Sequence, residues 1–197
     1  MNLRKSGKSA VNKAALAFVL LVFVAAVFGV SLTGNAGQAA RQGQTGAQSS
    51  GTVKELRVID LDGYRKLVAE HHGKPLLVTF WATWCEPCRD EYPLVNQIAR
   101  QYAPQGLDVV GVDMDDDAEL TLVRHFLEKN LPVFPNVRKK MGHQDDFDKG
   151  VDPSWGHEMP VNFFYTADGQ LAARMVGEHP REDFEKVIHV ILAARSK

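Results

Sequence analysis

Apolar runs alternate with segments of helical periodicity from about residue 53 to the C-terminus. The runs at 76–81 and 107–113 are mainly apolar, which predicts strands buried on both faces of a sheet. A further strand is predicted at 161–165, and Asp168-Gly169 is a hairpin turn signal before a returning strand at 170–176. Apolar residues spaced by three and four predict helices at 62–72, from the cysteines to 102, at 119–130 and from 180 onward.

The remaining segments are less regular. Residues 56–61 alternate loosely and predict a first strand, whereas 131–159 predict only a short extended piece at 134–137 and a helical turn at 145–149. The alternation of strands and helices predicts an α/β fold of three layers. Its central mixed sheet would have a parallel core closed by a hairpin, with helices on both faces.

The N-terminal part has a different composition. Residues 1–13 are polar and basic, and residues 14–32 form a run of 19 residues without a charge. As a helix, such a run would match the roughly 30 Å apolar core of a bilayer. We interpret 1–13 as a cytoplasmic segment and 14–32 as a transmembrane signal anchor, because cleaved signals usually have apolar regions of only about 7–15 residues. Cleavage near 37–39, at Gly37-Gln38-Ala39, is the alternative.

Residues 33–52 contain five glycines and four glutamines and no apolar side chain larger than alanine, so they are interpreted as a flexible linker to a domain at 53–197. Residues 1–51 carry five basic and no acidic residues, which leaves 18 basic and 24 acidic residues in the rest of the chain. This mildly acidic domain gives no indication of nucleic-acid binding.

The chain has two cysteines, Cys85 and Cys88, which directly follow the apolar run at 76–81 and precede a helical pattern. The free N–H groups and the dipole at a helix N-terminus stabilise a thiolate, the form of cysteine that attacks disulfides. We therefore expect Cys85 to attack and Cys88 to resolve the mixed disulfide. Pro87 suits the first helical turn, and the charge of Glu86 would moderate the stabilisation of the thiolate.

Two other interpretations of the cysteine pair are a structural disulfide and half of a zinc site. A disulfide across so short a loop constrains little of the unfolded chain. A zinc site needs two more ligands, and the seven histidines are scattered without ligand spacing. Redox chemistry is therefore the favoured interpretation, with no metal and no cofactor beyond the redox-active disulfide itself.

The sequence Phe-Trp-Ala-Thr-Trp-Cys-Glu-Pro-Cys at 80–88 resembles the thioredoxin superfamily. Together with the expected anchor, it is most similar to the TlpA/ResA/CcmG-like branch of membrane-anchored thiol-disulfide oxidoreductases. The resemblance covers about residues 55–195 and implies a thioredoxin-like fold. It also implies that Met159-Pro160, just before the strand at 161–165, contains the superfamily's cis-proline, which presents its backbone to substrate.

The resemblance also bears on proton transfer. Thr79 stands where thioredoxins proper carry a buried aspartate, and a threonine cannot act as an acid or base. Glu91 follows Cys88 by three residues on the same side of the predicted helix, where ResA-like proteins have a glutamate that assists thiol deprotonation. A solvated helix glutamate is the ordinary alternative.

Aromatic residues flank the motif. Trp81 is expected to lie partly in the core and Trp84 to border the reactive thiol. The predicted catalytic residues are Cys85, Cys88 and Glu91. The predicted substrate-binding residues are Trp84, Glu86, Pro87, Met159 and Pro160. The segment 151–159 is longer than the branch requires. Its Trp155 and His157 would either shape a substrate groove or form an ordinary surface loop with Trp155 packed on the core.

The resemblance implies a disulfide reductase at the extracytoplasmic, periplasmic side of the inner membrane, held by a single span. Its clients would be cysteine-containing secreted proteins or apocytochrome c, and a membrane reductant of the DsbD/CcdA type would supply electrons. A thioredoxin-like binding module without turnover is one alternative. A copper-handling protein of the Sco type is another, although those proteins use a Cys-x-x-x-Cys spacing and a distal histidine.

Overall fold

The computed structural model describes residues 55–142 and 144–194. Six strands and five α-helices alternate along this part of the chain. The strands are β1 (Arg57–Ile59), β2 (Leu76–Trp81), β3 (Asp108–Asp113), β4 (Asn136–Lys139), β5 (Val161–Tyr165) and β6 (Leu171–Val176). The helices are α1 (Leu61–Glu70), α2 (Glu86–Tyr102), α3 (Leu120–Asn130), α4 (Gln144–Val151) and α5 (Arg181–Ala194).

All six strands form one mixed sheet in the order β1-β4-β3-β2-β5-β6. The first four strands of that order are parallel, whereas β5 runs antiparallel to both β2 and β6. The sequence predicted this parallel core closed by a hairpin. The central strands β2 and β5 are buried at every residue, in agreement with their nearly continuous apolar sequences.

Helices cover both faces of the sheet, as predicted. Successive strand residues point to opposite faces, and Phe80 and Trp81 at the end of β2 show the two sides. The Phe80 ring contacts Tyr64 of α1 and Phe147 of α4. The Trp81 ring contacts Tyr92 of α2 and Phe126 of α3. Helix α5 lies beside α2, where Arg181 donates to Gln97.

The segment 131–159 departs from the prediction. The expected extended piece at 134–137 is instead the strand Asn136–Lys139, which lies between β1 and β3 inside the sheet. The expected turn at 145–149 is the eight-residue helix Gln144–Val151. The strand escaped detection because Arg138 and Lys139 read as surface residues, yet they are only 4% and 5% exposed.

The predicted basic segment 1–13, signal anchor 14–32 and linker 33–52 lie outside the described residues. Within 55–142 and 144–194, no helix combines the length and apolar character needed to cross a membrane.

Candidate active site

The two cysteines lie at the junction of β2 and α2. β2 ends at Trp81, and α2 begins at Glu86 with Cys85 as its N-cap residue in extended conformation, φ −88° and ψ 104°. The Cys85 Sγ accepts a hydrogen bond from the backbone N–H of Cys88 at 3.2 Å. Pro87 occupies the first turn, where its missing N–H costs no helical hydrogen bond. A sulfur at this position is held where the helix favours negative charge.

Cys85 and Cys88 form a disulfide with their Cα atoms 5.3 Å apart. Cys85 is 6% exposed and Cys88 is 2% exposed. Cys85 is thus almost covered by its neighbours, with only a small part of its surface open to a partner.

The Met159–Pro160 peptide bond is cis, as the resemblance implied. The antiparallel register pairs Phe80 with Val161, so Pro160 comes beside the end of β2 that leads into the cysteine loop. Pro160 is buried and its carbonyl accepts a hydrogen bond from the Gly177 N–H at 2.8 Å, whereas Met159 is partly buried against the core. The sheet thus brings two distant segments, at 85–88 and 159–160, to the same edge.

Glu91 is buried beneath this edge, at 2% exposure, and is not a solvated helix residue. Its Oε2 accepts from the Asn162 side-chain amide at 2.8 Å, and its Oε1 accepts from the backbone N–H of His179 at 3.1 Å. Burial raises the pKa of Glu91, and these two hydrogen bonds oppose part of that rise. A carboxylate with a raised pKa, one helical turn after Cys88, is suited to accepting a proton from a nearby thiol.

The other predicted residues divide by exposure. Trp84 is 59% exposed next to Cys85, and Glu86 and Pro87 are also exposed. Trp81 is only 1% exposed, so it belongs wholly to the core. Thr79 is buried and pairs across the sheet with Asn162, the residue that binds Glu91.

Trp155 belongs to the core, and the alternative in which it shapes a groove is wrong. It is 2% exposed, its ring contacts Phe80 and Phe163, and its indole N–H donates to the Glu158 carbonyl at 3.0 Å. His157 has a left-handed backbone conformation, with φ 70°, and its ring pairs with the buried carboxylate of Asp148. The long segment before Pro160 therefore folds onto the α1 and α4 side of the sheet.

Sequence reasoning missed a polar cluster on the other side of the cysteine loop. Asp115 accepts two hydrogen bonds from Thr83, and behind it Asp113 forms an ion pair with Arg138. Burial raises the pKa of Asp113 to about 8, although Arg138 favours its charged form. A signal was present, since carboxylates follow the buried strand β3 and would lie at the same sheet edge as the cysteines.

Asn162 was also missed, although it is a polar residue within the otherwise apolar run 161–165. Buried polar groups need partners, so it could have been marked as belonging to a site. Within the part of the chain that the structure describes, no group of three or more His, Cys, Asp or Glu residues is arranged to hold a metal ion.

Comparison with known proteins assigns the chain to a family. The model of the AhpC/TSA family matches residues 51–174, which include the cysteine pair, the cis-proline and strands β1 to β5. The chain belongs to the AhpC/TSA family. This match and the relatives below confirm the resemblance to thioredoxin-fold thiol-disulfide oxidoreductases.

Among the relatives of this AhpC/TSA chain is the thiol-disulfide oxidoreductase ResA of Bacillus thuringiensis strain Al Hakam. It is 29% identical over 128 residues, which cover 65% of this chain and 69% of the relative. The thiol-disulfide oxidoreductase ResA of Geobacillus kaustophilus is 25% identical over 148 residues, which cover 75% and 80% of the two chains.

Solved structures agree with the fold. A proposed thiol:disulfide interchange protein DsbE from Chlorobium tepidum superposes with a TM-score of 0.55 at 27% identity, covering 64% of this chain and 84% of the other. A DsbF homologue from Corynebacterium diphtheriae has the same TM-score of 0.55 at 20% identity over 62% and 75% of the chains, which supports the fold alone.

Proposed function

We propose that this protein is a thiol-disulfide oxidoreductase that reduces disulfides through Cys85 and Cys88. One observation carries the proposal: the two sulfurs form a disulfide at the start of α2, with the Cys85 sulfur at the N-cap position facing the Cys88 N–H. This position stabilises the thiolate that attacks, and it leaves the second sulfur in reach to resolve the intermediate. The AhpC/TSA membership and the ResA relatives support the same chemistry.

The exchange proceeds in two steps. The Cys85 thiolate attacks one sulfur of a client disulfide, forms a mixed disulfide and releases the other client sulfur as a thiolate. The Cys88 thiolate then attacks the Cys85 sulfur, which closes the Cys85–Cys88 disulfide and releases the second client thiolate. The client gains two electrons and the protein loses two. Glu91 receives the proton that Cys88 must lose before it attacks.

The remaining residues would bind the client around this disulfide. Exposed Trp84, with Glu86 and Pro87, would contact the client on the loop side, and Met159 and Pro160 would present backbone on the other side. The dithiol pair itself carries the electrons, so the proposed reaction needs no further cofactor.

The location and partners of this chemistry follow from the sequence expectation and the family resemblance. We place the domain on the extracytoplasmic side of the inner membrane, behind a single span at 14–32. There, cysteine-containing secreted proteins or apocytochrome c are the proposed clients. A membrane reductant of the DsbD/CcdA type would reduce the Cys85–Cys88 disulfide after each turnover.

Trapping tests this function. In the full-length Cys88→Ser variant, the mixed disulfide on Cys85 cannot be resolved, so clients should accumulate as adducts that a reductant releases. The Cys85→Ser variant is the control and should trap far less, since Cys85 is the attacking residue.

Insulin reduction driven by dithiothreitol supplies the kinetic measurement. Both serine variants should lose turnover. A Cys85→Ser variant with wild-type turnover, or with full function in cells, would contradict the proposal and favour a binding module.

A further inference from the structure

Thr83, in the loop before the cysteines, makes three hydrogen bonds, two through its backbone and one through its hydroxyl. Its N–H donates to Asp115 Oδ2 at 2.7 Å, and its hydroxyl donates to Asp115 Oδ1 at 2.5 Å. Its carbonyl accepts from the Arg89 guanidinium at 2.5 Å. Thr83 lies two residues before Cys85, in the short connection between β2 and α2.

Asp115 is itself held in place by Asp113, which pairs with Arg138. It is 2% exposed, and its backbone N–H donates to Asp113 Oδ1 at 3.1 Å. Asp113, fully buried, accepts from the Arg138 Nε at 3.2 Å, and Arg138 also donates to Asp117 at 3.0 Å. Since Asp113 and Arg138 are direct neighbours on β3 and β4, the residues that hold Asp115 in place belong to the sheet.

We propose that Asp115 and Thr83 form a clamp that positions Cys85 and thereby sets the redox equilibrium of the Cys85–Cys88 pair. This inference rests on the proposed function. The two residues do not react with the client; they act through the cysteine loop and are therefore positioning residues.

The physical argument concerns the N-cap geometry of Cys85. The sulfur benefits from the helix N-terminus only while residue 85 keeps its extended backbone and its Sγ faces the Cys88 N–H. The preceding connection has only four residues, 82–85, so a displacement of Thr83 would also displace Cys85. A buried carboxylate that accepts two hydrogen bonds from one residue fixes both the position and the orientation of that residue.

The clamp should favour the reduced form. The reduced pair carries the thiolate, which depends on the helix N-terminus more than the uncharged disulfide does. Loosening the clamp therefore destabilises the reduced form more than the oxidised form. The equilibrium with glutathione then shifts toward the Cys85–Cys88 disulfide.

The test compares Thr83→Val with Thr83→Ser in the full-length chain. Valine keeps the shape of threonine but removes the hydroxyl donor, and serine keeps the hydroxyl. Thr83→Val should shift the glutathione equilibrium about fivefold toward the disulfide, as expected for the loss of a capping interaction, while Thr83→Ser stays close to wild type. Absorbance at 240 nm should show less thiolate in reduced Thr83→Val than in wild type at the same pH.

Asp115→Asn is the second variant. An amide is uncharged and offers one acceptor oxygen where the carboxylate offers two, so the Thr83 N–H and hydroxyl can no longer both donate to a charged acceptor, and the shift should have the same direction. Urea unfolding of the oxidised proteins separates positioning from general stability. A lower unfolding midpoint with an unchanged glutathione equilibrium would overturn the proposal, as would equal shifts in Thr83→Val and Thr83→Ser.

The outcomes distinguish this proposal from the one on which it rests. If wild type does not exchange with glutathione, the proposed function fails. If wild type exchanges normally and Thr83→Val behaves like it in both the equilibrium and the absorbance, only the clamp fails.

Discussion

Two buried carboxylates flank the cysteine loop, and they are bound in different ways. Glu91 and Asp115 are each 2% exposed and each accept two hydrogen bonds. The donors to Glu91 come from two elements, the Asn162 side chain on β5 and the His179 N–H before α5. Both donors to Asp115 come from a single residue, Thr83.

This difference indicates two roles. Both carboxylate oxygens of Asp115 accept hydrogen bonds from the loop before the cysteines, so Asp115 restrains where Cys85 lies. Glu91 stands on α2 after the cysteines, and burial raises its pKa, which suits a group that gains and loses a proton. We therefore propose that Asp115 acts on the geometry of the cysteine loop and that Glu91 acts in proton transfer.

The largest effect that separates the two roles is expected for Glu91→Gln. Glutamine keeps the shape but cannot accept the Cys88 proton. The rate of insulin reduction at pH 7 should fall by about tenfold or more, and exchange should require a higher pH. In wild type the rate should fall as pH decreases through the raised pKa of Glu91, because only the carboxylate accepts a proton.

Asp90→Asn is the matched control for Glu91→Gln, because Asp90 is an exposed carboxylate on the same helix. It should leave the pH–rate profile unchanged. If Glu91→Gln also leaves the profile unchanged, Glu91 has no part in proton transfer and its burial is only structural.

A smaller effect is expected for Asn162→Ala. The Asn162 amide favours the charged form of Glu91, so its removal should raise the pKa of Glu91 further. The acid side of the pH–rate profile should then move to higher pH, while the maximal rate changes little. Thr83→Val is the counterpart of this variant, because its expected effect is on the glutathione equilibrium and on the thiolate absorbance.

The double variant Asn162→Ala/Glu91→Gln controls for an indirect effect of the cavity. If Asn162 acts through Glu91, the acid side of the profile should not move when Asn162 is removed from a protein that already carries glutamine at position 91. A further movement would show that Asn162 acts by another route.

The smallest effect on the fold is expected for Trp84→Ala, which touches neither carboxylate. Because Trp84 is 59% exposed, its removal should change the free energy of unfolding by less than about 0.5 kcal/mol. The KM for a protein client should rise while kcat stays near wild type, if Trp84 contacts the client.

Trp155→Ala is the contrasting variant. It should lower the free energy of unfolding by about 3–5 kcal/mol, since Trp155 is buried in the core.

Much of the fold could be predicted because its signals are local. The strands at 76–81 and 161–165 have the bounds that their apolar runs predict, and α3 and α5 follow their helical periodicity. The strand at 136–139 could not be found in this way. Arg138 on this strand is buried against its partner Asp113 on β3, and a pattern of polar and apolar positions does not contain that partner.

The same distinction applies to the site. The order of Cys85 and Cys88 at a strand–helix junction indicates dithiol chemistry without any tertiary information, because the electrostatics of a helix N-terminus are local. That Glu91 is buried depends on Asn162 and His179, which are 71 and 88 residues away in sequence. Likewise, the sequence allowed Trp155 either to line a groove or to join the core. Its contacts with Phe80 and Phe163, which the structure shows, place it in the core.

The sequence by itself determined most helices and most strands, the reactive cysteine pair and the helix face that carries Glu91, since each depends on residues within a few positions of one another. The tertiary structure alone decided which carboxylates flank the disulfide and what each one binds. The register of parallel β3 and β4 pairs Asp113 with Arg138, and the antiparallel register of β2 and β5 brings Pro160 and Asn162 to the cysteine edge. Such pairings arise from sheet assembly between distant segments.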